Sequence, residues 1–138
     1  MMIDASAIVG ILNAEPEAAA LAAAIGDARA PYTSPVAIYE ATVALMRENQ
    51  WTGEEAGTVV REFLDVASIK VVLISESMAG SAVRAFEQFG KGRHPAQLNM
   101  GDCFAYAAAR AYRAALLFKG NDFTQTDLKS ALDEAGRG

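Results

Sequence analysis

The chain has 138 residues, enough for one domain around a single core, and 52% of them are apolar with alanine dominant, so closely packed helices can fill that core. A net charge of −5 denies it the field that draws basic proteins to nucleic acid; any such role must rest on a local basic patch or on metal ions that reverse the local sign. No run approaches the ~20 apolar residues of a membrane span, the opening Met1-Met2-Ile3-Asp4 is unlike a signal peptide, and the single cysteine, Cys103, excludes an internal disulfide, so the expected compartment is the cytoplasm.

In chain order, a short strand from Met2 to Asp4 leads into Ala5-Ser6-Ala7-Ile8-Val9-Gly10-Ile11-Leu12, apolar nearly all round and therefore a buried helix. Glu15-Pro16-Glu17 restarts the chain into an alanine-rich helix that ends at Gly26-Asp27. A second strand falls around Ala30 to Thr33. Ser34-Pro35 then opens a helix through Asn49, with serine as cap and proline in the first position. Thr52 and Glu55 form a capping box for a helix to about Ala67. The β-branched run from Ile69 to Ile74 predicts a buried parallel strand. A helix from Ser75-Glu76-Ser77 to about Phe89 is followed by the basic loop Gly90-Lys91-Gly92-Arg93-His94-Pro95. A helix from Asp102 to Ala114, a strand Ala115 to Phe118, a turn at Gly120-Asn121-Asp122 and a last helix from Asp127 to Ala135 complete the chain. Strands alternating with helices specify an α/β fold with a central, mainly parallel sheet, whose ligand sites lie beyond the carboxyl ends of the strands.

Four acids stand where such a site would form. Asp4 ends the first strand; as a plain structural element it would cap the next helix. Glu40 shares a helix face with Val36 and Val43, beside Tyr39, so it projects from a stripe expected to be buried, where an unpaired carboxylate is costly. Its alternative is a boundary glutamate reaching water. Asp102 begins a helix whose face continues through Ala105, Tyr106 and Ala109, and it too could be a cap. Asp122 follows the last strand and could form a capping box with Gln125. Taken together, the acids suggest a shared site, and their repulsion calls for a hard divalent cation, Mg²⁺ or Mn²⁺. Such an ion can polarise a phosphodiester and lower the pKa of a bound water. No P-loop is present, and the one histidine, His94, is not near Cys103 in sequence.

These segments resemble the PIN-domain nucleases. Met2-Ile3-Asp4-Ala5-Ser6-Ala7 looks like their opening strand, and Glu40 within Ser34-Pro35-Val36-Ala37-Ile38-Tyr39-Glu40 like their second acid. Met100-Gly101-Asp102-Cys103-Phe104-Ala105-Tyr106-Ala107 is similar to the helix of the third acid. Leu116-Leu117-Phe118-Lys119-Gly120-Asn121-Asp122-Phe123-Thr124-Gln125-Thr126-Asp127 is similar to the closing motif of a VapC-like branch. The resemblance implies a single PIN-like domain over residues 1–138, three-layered, with helices flanking the sheet. It further implies the toxin half of a bacterial toxin–antitoxin pair, a Mg²⁺- or Mn²⁺-dependent endoribonuclease, a homodimer, and a small cognate antitoxin as inhibitor. Asp4, Glu40 and Asp102 carry over as metal ligands, with Ser6 as a polar support. Many relatives carry an acid where this chain has Gly120, so Asp122 takes the fourth role, and Asp127 reads as a helix cap.

Phosphates of an RNA substrate would need cations: Arg47, Lys91, Arg93 and Lys119 are the candidates, each also readable as ordinary surface charge, with His94 a weaker one. Cys103 and Trp51 read as packing residues, and Tyr39, Phe63, Phe86 and Phe89 as core or interface groups. The helix from Pro35 to Asn49 and the next one are expected to form an apolar groove for the antitoxin. Three rivals differ in class. A phosphotransfer receiver would need an aspartate after a middle strand, where Ser75 stands; a dehalogenase-like phosphatase would need one at Ser6; a PIN-fold binding scaffold would dispense with catalysis.

Overall fold

A computed structural model describes residues 1–135. Its elements in order are β1 (Met2–Ile3), α1 (Ala5–Leu12), α2 (Ala18–Asp27), β2 (Tyr32–Thr33), α3 (Pro35–Asn49), α4 (Gly53–Val66), β3 (Lys70–Val71), α5 (Glu76–Phe89), α6 (Met100–Ala111), β4 (Leu116–Leu117) and α7 (Ala131–Ala135). The four strands form one parallel sheet in the order β3-β2-β1-β4, flanked by the helices. Parallel neighbours need crossover connections, and each is made by a pair of helices here. The chain steps from β1 outward to β2 and β3, then returns to place β4 on the other side of β1. The crevice between the ends of β1 and β4 is therefore the topological switch point, where a parallel sheet offers its ligand site.

Local signals place most of the helices. Asp4 caps α1, Ser34 caps α3 ahead of Pro35, Thr52 and Glu55 form the expected box on α4, and Ser75 caps α5. α1 is buried along Ala5, Ala7, Ile8, Val9 and Gly10, as its all-round apolar sequence predicts. Buried hydrogen bonds tie the layers and the strands: the Tyr32 hydroxyl of β2 donates to the Ala108 carbonyl of α6 at 2.8 Å, and the Thr33 hydroxyl of β2 to the Ile3 carbonyl of β1 at 2.8 Å. The single buried core includes Met2, Ile3, Ile8, Leu45, Leu64, Leu98, Leu116 and Leu117, and Cys103 packs within it. Trp51, Phe63 and Phe89 are half-buried against it, whereas Tyr39 and Phe86 are exposed.

Several expectations are corrected. The run Ile69 to Ile74 is not a strand buried on both faces: β3 pairs only with β2, at the edge, so Ile69 and Val72 turn inward while Lys70 and Leu73 face water. The third-acid helix begins at Met100, because Asn99 rather than Asp102 is its cap. The last helix begins at Ala131, and Asp127 caps nothing; it accepts from the Tyr106 hydroxyl at 2.6 Å and from Arg110 at 3.0 Å, fastening the closing loop to α6. Asp122 and Gln125 form no capping box, since the chain between β4 and α7 is a series of turns.

The cap of α3 fixes the helix that carries Glu40. Ser34 is buried and its hydroxyl accepts from the Ala37 amide at 3.2 Å. Ser34→Ala should cost about 1 kcal/mol, the usual loss for a capping hydroxyl. Urea unfolding should show it as a lowered midpoint with an unchanged slope; an unchanged midpoint would mean that Pro35 alone starts the helix.

Candidate active site

Four segments deliver one carboxylate each to a cavity of about 720 Å³ at the switch point: Asp4 after β1, Glu40 from the middle of α3, Asp102 from the first turn of α6, and Asp122 after β4. The strand ends are locked together. The register pairs Ile3 with Leu117, and the Asp4 amide donates to the Leu117 carbonyl at 3.0 Å. Ser6 adds a second link. Its hydroxyl donates to the Asp4 carboxylate at 2.6 Å and accepts from the Lys119 amide at 3.0 Å. The polar support expected of Ser6 thus takes the form of a bridge that aims Asp4 and joins β1 to β4.

Two of the acids bond helix-start amides as well as facing the cavity: Asp4 as a cap, and Asp102 as the partner of the cap Asn99. The Asp4 carboxylate also accepts from the Ser6 amide at 3.1 Å, closing the first turn of α1. The Asp102 carboxylate accepts from the Asn99 amide at 3.1 Å while the Asn99 side chain accepts from the Asp102 amide at 2.9 Å. A carboxylate has two oxygens and about four acceptor positions, so a cap leaves capacity facing the cavity.

Glu40 sits differently from its expected place. The buried stripe of α3 is Ala37, Ala41 and Leu45. Val36, Glu40 and Val43 are half-buried, with Tyr39 exposed beside them. Glu40, Tyr39 and Val43 form a wall of the cavity rather than a contact with the core. α4 contributes nothing to that wall; it lies against α3 with Ala56, Val60 and Leu64 buried.

The electrostatics report the crowding. Burial pushes the Glu40 carboxyl up to about 7, helped by the charges of Asp4 and Asp102. Burial raises Asp102 to about 6; its bond from the Asn99 amide opposes this, and Asp4 and Asp122 add to it. Asp4 is also raised by burial, against the hydrogen bonds from Ser6 and Ala5 and with the charge of Asp122. Among the described residues no three acidic, histidine or cysteine side chains are gathered closely enough to enclose a cation. The acids share a cavity without forming a finished cage. The donor set itself fits a hard divalent ion: the cavity is lined by carboxylates, with neither His94 nor the Cys103 thiol among them.

The cations are distributed unevenly. Arg47 and Lys119 line the cavity. The Lys119 ammonium is already engaged by Glu15, and Glu17 stands 3.7 Å away, so its charge is largely spent within the chain. Lys91 and Arg93 do not line the cavity. They are exposed on the loop before α6, where the Arg93 guanidinium lies 5.4 Å from the centre of the Phe86 ring. His94 accepts from the Ala96 amide at 3.0 Å and packs edge-on against Phe89, a structural role in that loop. Gly120 has φ of +97°, which glycine adopts without strain, and this turn leaves Asp122 on the cavity. Glu15 and Asn99 belong to the cavity but escaped the sequence reading. Asn99-Met100-Gly101-Asp102 has capping-box spacing and could have been found; Glu15 carries no local signal.

The raised carboxyls fix the pH dependence of the ion-free protein. Glu40 titrates at about 7 when folded against an ordinary 4.5, so between these values the folded chain holds more protons than the unfolded one. The associated stability is fully present below the lower value and is lost as pH rises through the upper one; Asp102 acts alike between 3.8 and about 6. In EDTA the melting temperature should therefore fall from about pH 5 to about pH 7.5, and Glu40→Gln should flatten that fall. Parallel profiles for the two proteins would show that Glu40 is not crowded.

With the geometry in view, comparison with known proteins is informative. The PIN domain family matches residues 1–129. The chain is 39% identical to Ribonuclease VapC of Mycolicibacterium smegmatis over 128 residues, covering 93% of this chain and 97% of the relative. It is 40% identical to a VapC ribonuclease of Rhizobium meliloti, covering 91% and 97%, and 37% identical to Ribonuclease VapC36 of Mycobacterium tuberculosis, covering 94% and 91%. The fold is similar to the crystal structure of VapC20 of Mycobacterium tuberculosis, a toxin that cleaves the sarcin–ricin loop, with a TM-score of 0.71 at 12% identity over 92% of this chain and 95% of that one. The chain belongs to the PIN-domain family, among relatives named as VapC ribonucleases.

Proposed function

We propose that this chain is the toxin of a bacterial toxin–antitoxin pair and cleaves RNA phosphodiester bonds as a Mg²⁺- or Mn²⁺-dependent endoribonuclease, its 138 residues acting as one PIN-like domain in the cytoplasm. One observation carries the reading: four carboxylates from four distant segments face one cavity at the switch point of a parallel sheet, held there against burial and mutual repulsion. A purely structural acid would be given a basic partner. Instead, Lys119, which lines the same cavity, pairs with Glu15, so the charges of the four acids are left for something that enters the cavity.

Asp4, Glu40, Asp102 and Asp122 are the residues that would hold the ion. When bound, it supplies Lewis acidity toward a phosphodiester and a water of lowered pKa. The chain's own groups prepare that site. Ser6 holds the Asp4 carboxylate in its orientation, and Asn99 holds that of Asp102. Burial and the neighbouring acids raise the Glu40 carboxyl to about 7, so near neutral pH it is only partly charged, which limits the repulsion. Arg47, exposed on the cavity and permanently charged, would hold a phosphate that carboxylates alone would repel. Lys91 and Arg93 would touch only RNA extending beyond the cavity. Antitoxin and homodimer are part of the same reading. An antitoxin arginine reaching the acids would pair with them in place of metal. The exposed side chains of Val83, Phe86 and Met100, along a cleft between α5 and α6, are apolar surface of the kind that partners cover.

The test is incubation of antitoxin-free protein with total RNA in Mg²⁺, Mn²⁺ or EDTA, with the cut ends mapped. Wild type should cleave with either ion and not in EDTA. Asp4→Asn should lose at least about a hundredfold in cleavage rate, the scale of an essential electrostatic group. It should melt no lower than wild type in EDTA, because asparagine caps a helix as well as aspartate and removes a crowded, buried charge. Cleavage that survives EDTA, or an Asp4→Asn protein as active as wild type, would replace this reading with that of a PIN-fold binding scaffold.

A further inference from the structure

Gly101 has no evident business inside α6. It is buried in the first turn with no left-handed φ, a position where glycine costs conformational entropy and alanine is the better helix former. Small residues at helix contacts usually admit a neighbouring backbone. Here a β-carbon would meet something else: Oε2, Cδ and Oε1 of Glu40 are its three nearest neighbours, all far inside van der Waals contact. The space that a side chain at 101 would fill is occupied by the Glu40 carboxylate. Glu40 comes from α3 and Asp102 from α6, and the missing side chain lets one acid lie against the backbone that carries the next.

We propose that Gly101 is a positioning residue for the acidic site: by lacking a side chain it creates the seat in which the Glu40 carboxylate is held beside Asp102. The proposal rests on the ion-binding reading above for its consequence, though not for its geometry. The obstructed atoms are the far end of a flexible side chain next to an open cavity, so an added methyl would turn Glu40 outward rather than break the packing of α3 on α6. Stability and ion binding should then move in opposite directions, which a merely structural glycine would not produce.

The experiment is a double-mutant cycle on full-length, antitoxin-free protein, with Mn²⁺ alone as the probe, titrated calorimetrically in the absence of RNA. Gly101→Ala should melt no lower than wild type in EDTA, since alanine favours a helix. It should bind Mn²⁺ at least about tenfold more weakly, the usual penalty for disturbing what orients a metal ligand. Glu40→Asp withdraws the carboxylate by one methylene and makes room for the methyl. In that background Gly101→Ala should cost less than about threefold, and the inequality measures the coupling. Equal costs in both backgrounds, or a Gly101→Ala protein that binds Mn²⁺ as wild type does, would overturn the proposal. Crystal structures of wild type and Gly101→Ala separate its failure from that of the ion-binding reading. If wild type binds no Mn²⁺, that reading fails, yet a Glu40 side chain rotated away from residue 101 in the variant still supports the seat. A Glu40 carboxylate left in place, with α6 displaced instead, refutes it.

Discussion

Like charges at the margin of a hydrophobic core repel one another and resist leaving water, and a fold that gathers four of them must oppose both effects with fixed structure. In this chain the opposition is built from hydrogen bonds and helix starts. Asp4 is held by a hydroxyl and an amide of Ser6, and Asp102 by the amide of Asn99. Each acid also lies at a helix N-terminus, where the unpaired amides and the helix dipole favour negative charge. Glu40, in the middle of α3, lacks that support, and its carboxyl is raised to about 7 by burial and by its acidic neighbours.

The same arrangement dissolves an opposition that capping preferences raise. A cap and a ligand are commonly treated as competing explanations of an aspartate before a helix. For Asp4, and for Asp102 one turn inside a helix capped by Asn99, a bond to a helix-start amide and a place on the cavity coexist, because a carboxylate has two oxygens. The cap supplies the orientation that a ligand requires, and the strand ends supply the place. Ser6, bonded to Asp4 on one side and to the Lys119 amide on the other, joins the two segments on which the site is founded. Its effect reaches both the aim of a carboxylate and the closure of the crevice.

Charge outside the acid cluster is arranged to the same end. The chain is acidic overall, and the one lysine on the cavity is bound to Glu15. Attraction of a polyanion is therefore weak unless the acids are neutralised. Arg47 stays on the rim, and Arg93 leans on Phe86 in a separate loop. On the proposed function, a substrate of phosphates would meet this surface best with the acids neutralised, and a partner bearing arginine with them charged.

By itself the sequence determined the alternation of strands and helices, the caps at Asp4, Ser34 and Thr52, and the approximate positions of the four acids, since those depend on residues within a turn or two of one another. Family motifs, again local strings, singled out Asp4, Glu40 and Asp102. Local patterning went astray where the outcome depends on the neighbouring layer. Ile69 to Ile74 reads as a buried strand, but whether a β-branched run lies in the middle of a sheet or at its edge is fixed by strand order. Glu40 reads as buried with Val36 and Val43, but which face of α3 meets the core is decided by α1, α4 and α6, and they chose Ala37, Ala41 and Leu45. Lys119 reads as free to hold phosphate until Glu15, more than a hundred residues earlier, is found against it. The Glu40 carboxylate in the space above Gly101 belongs to the same class. Contacts between distant segments depend on how the layers pack, and no spacing along the chain encodes them.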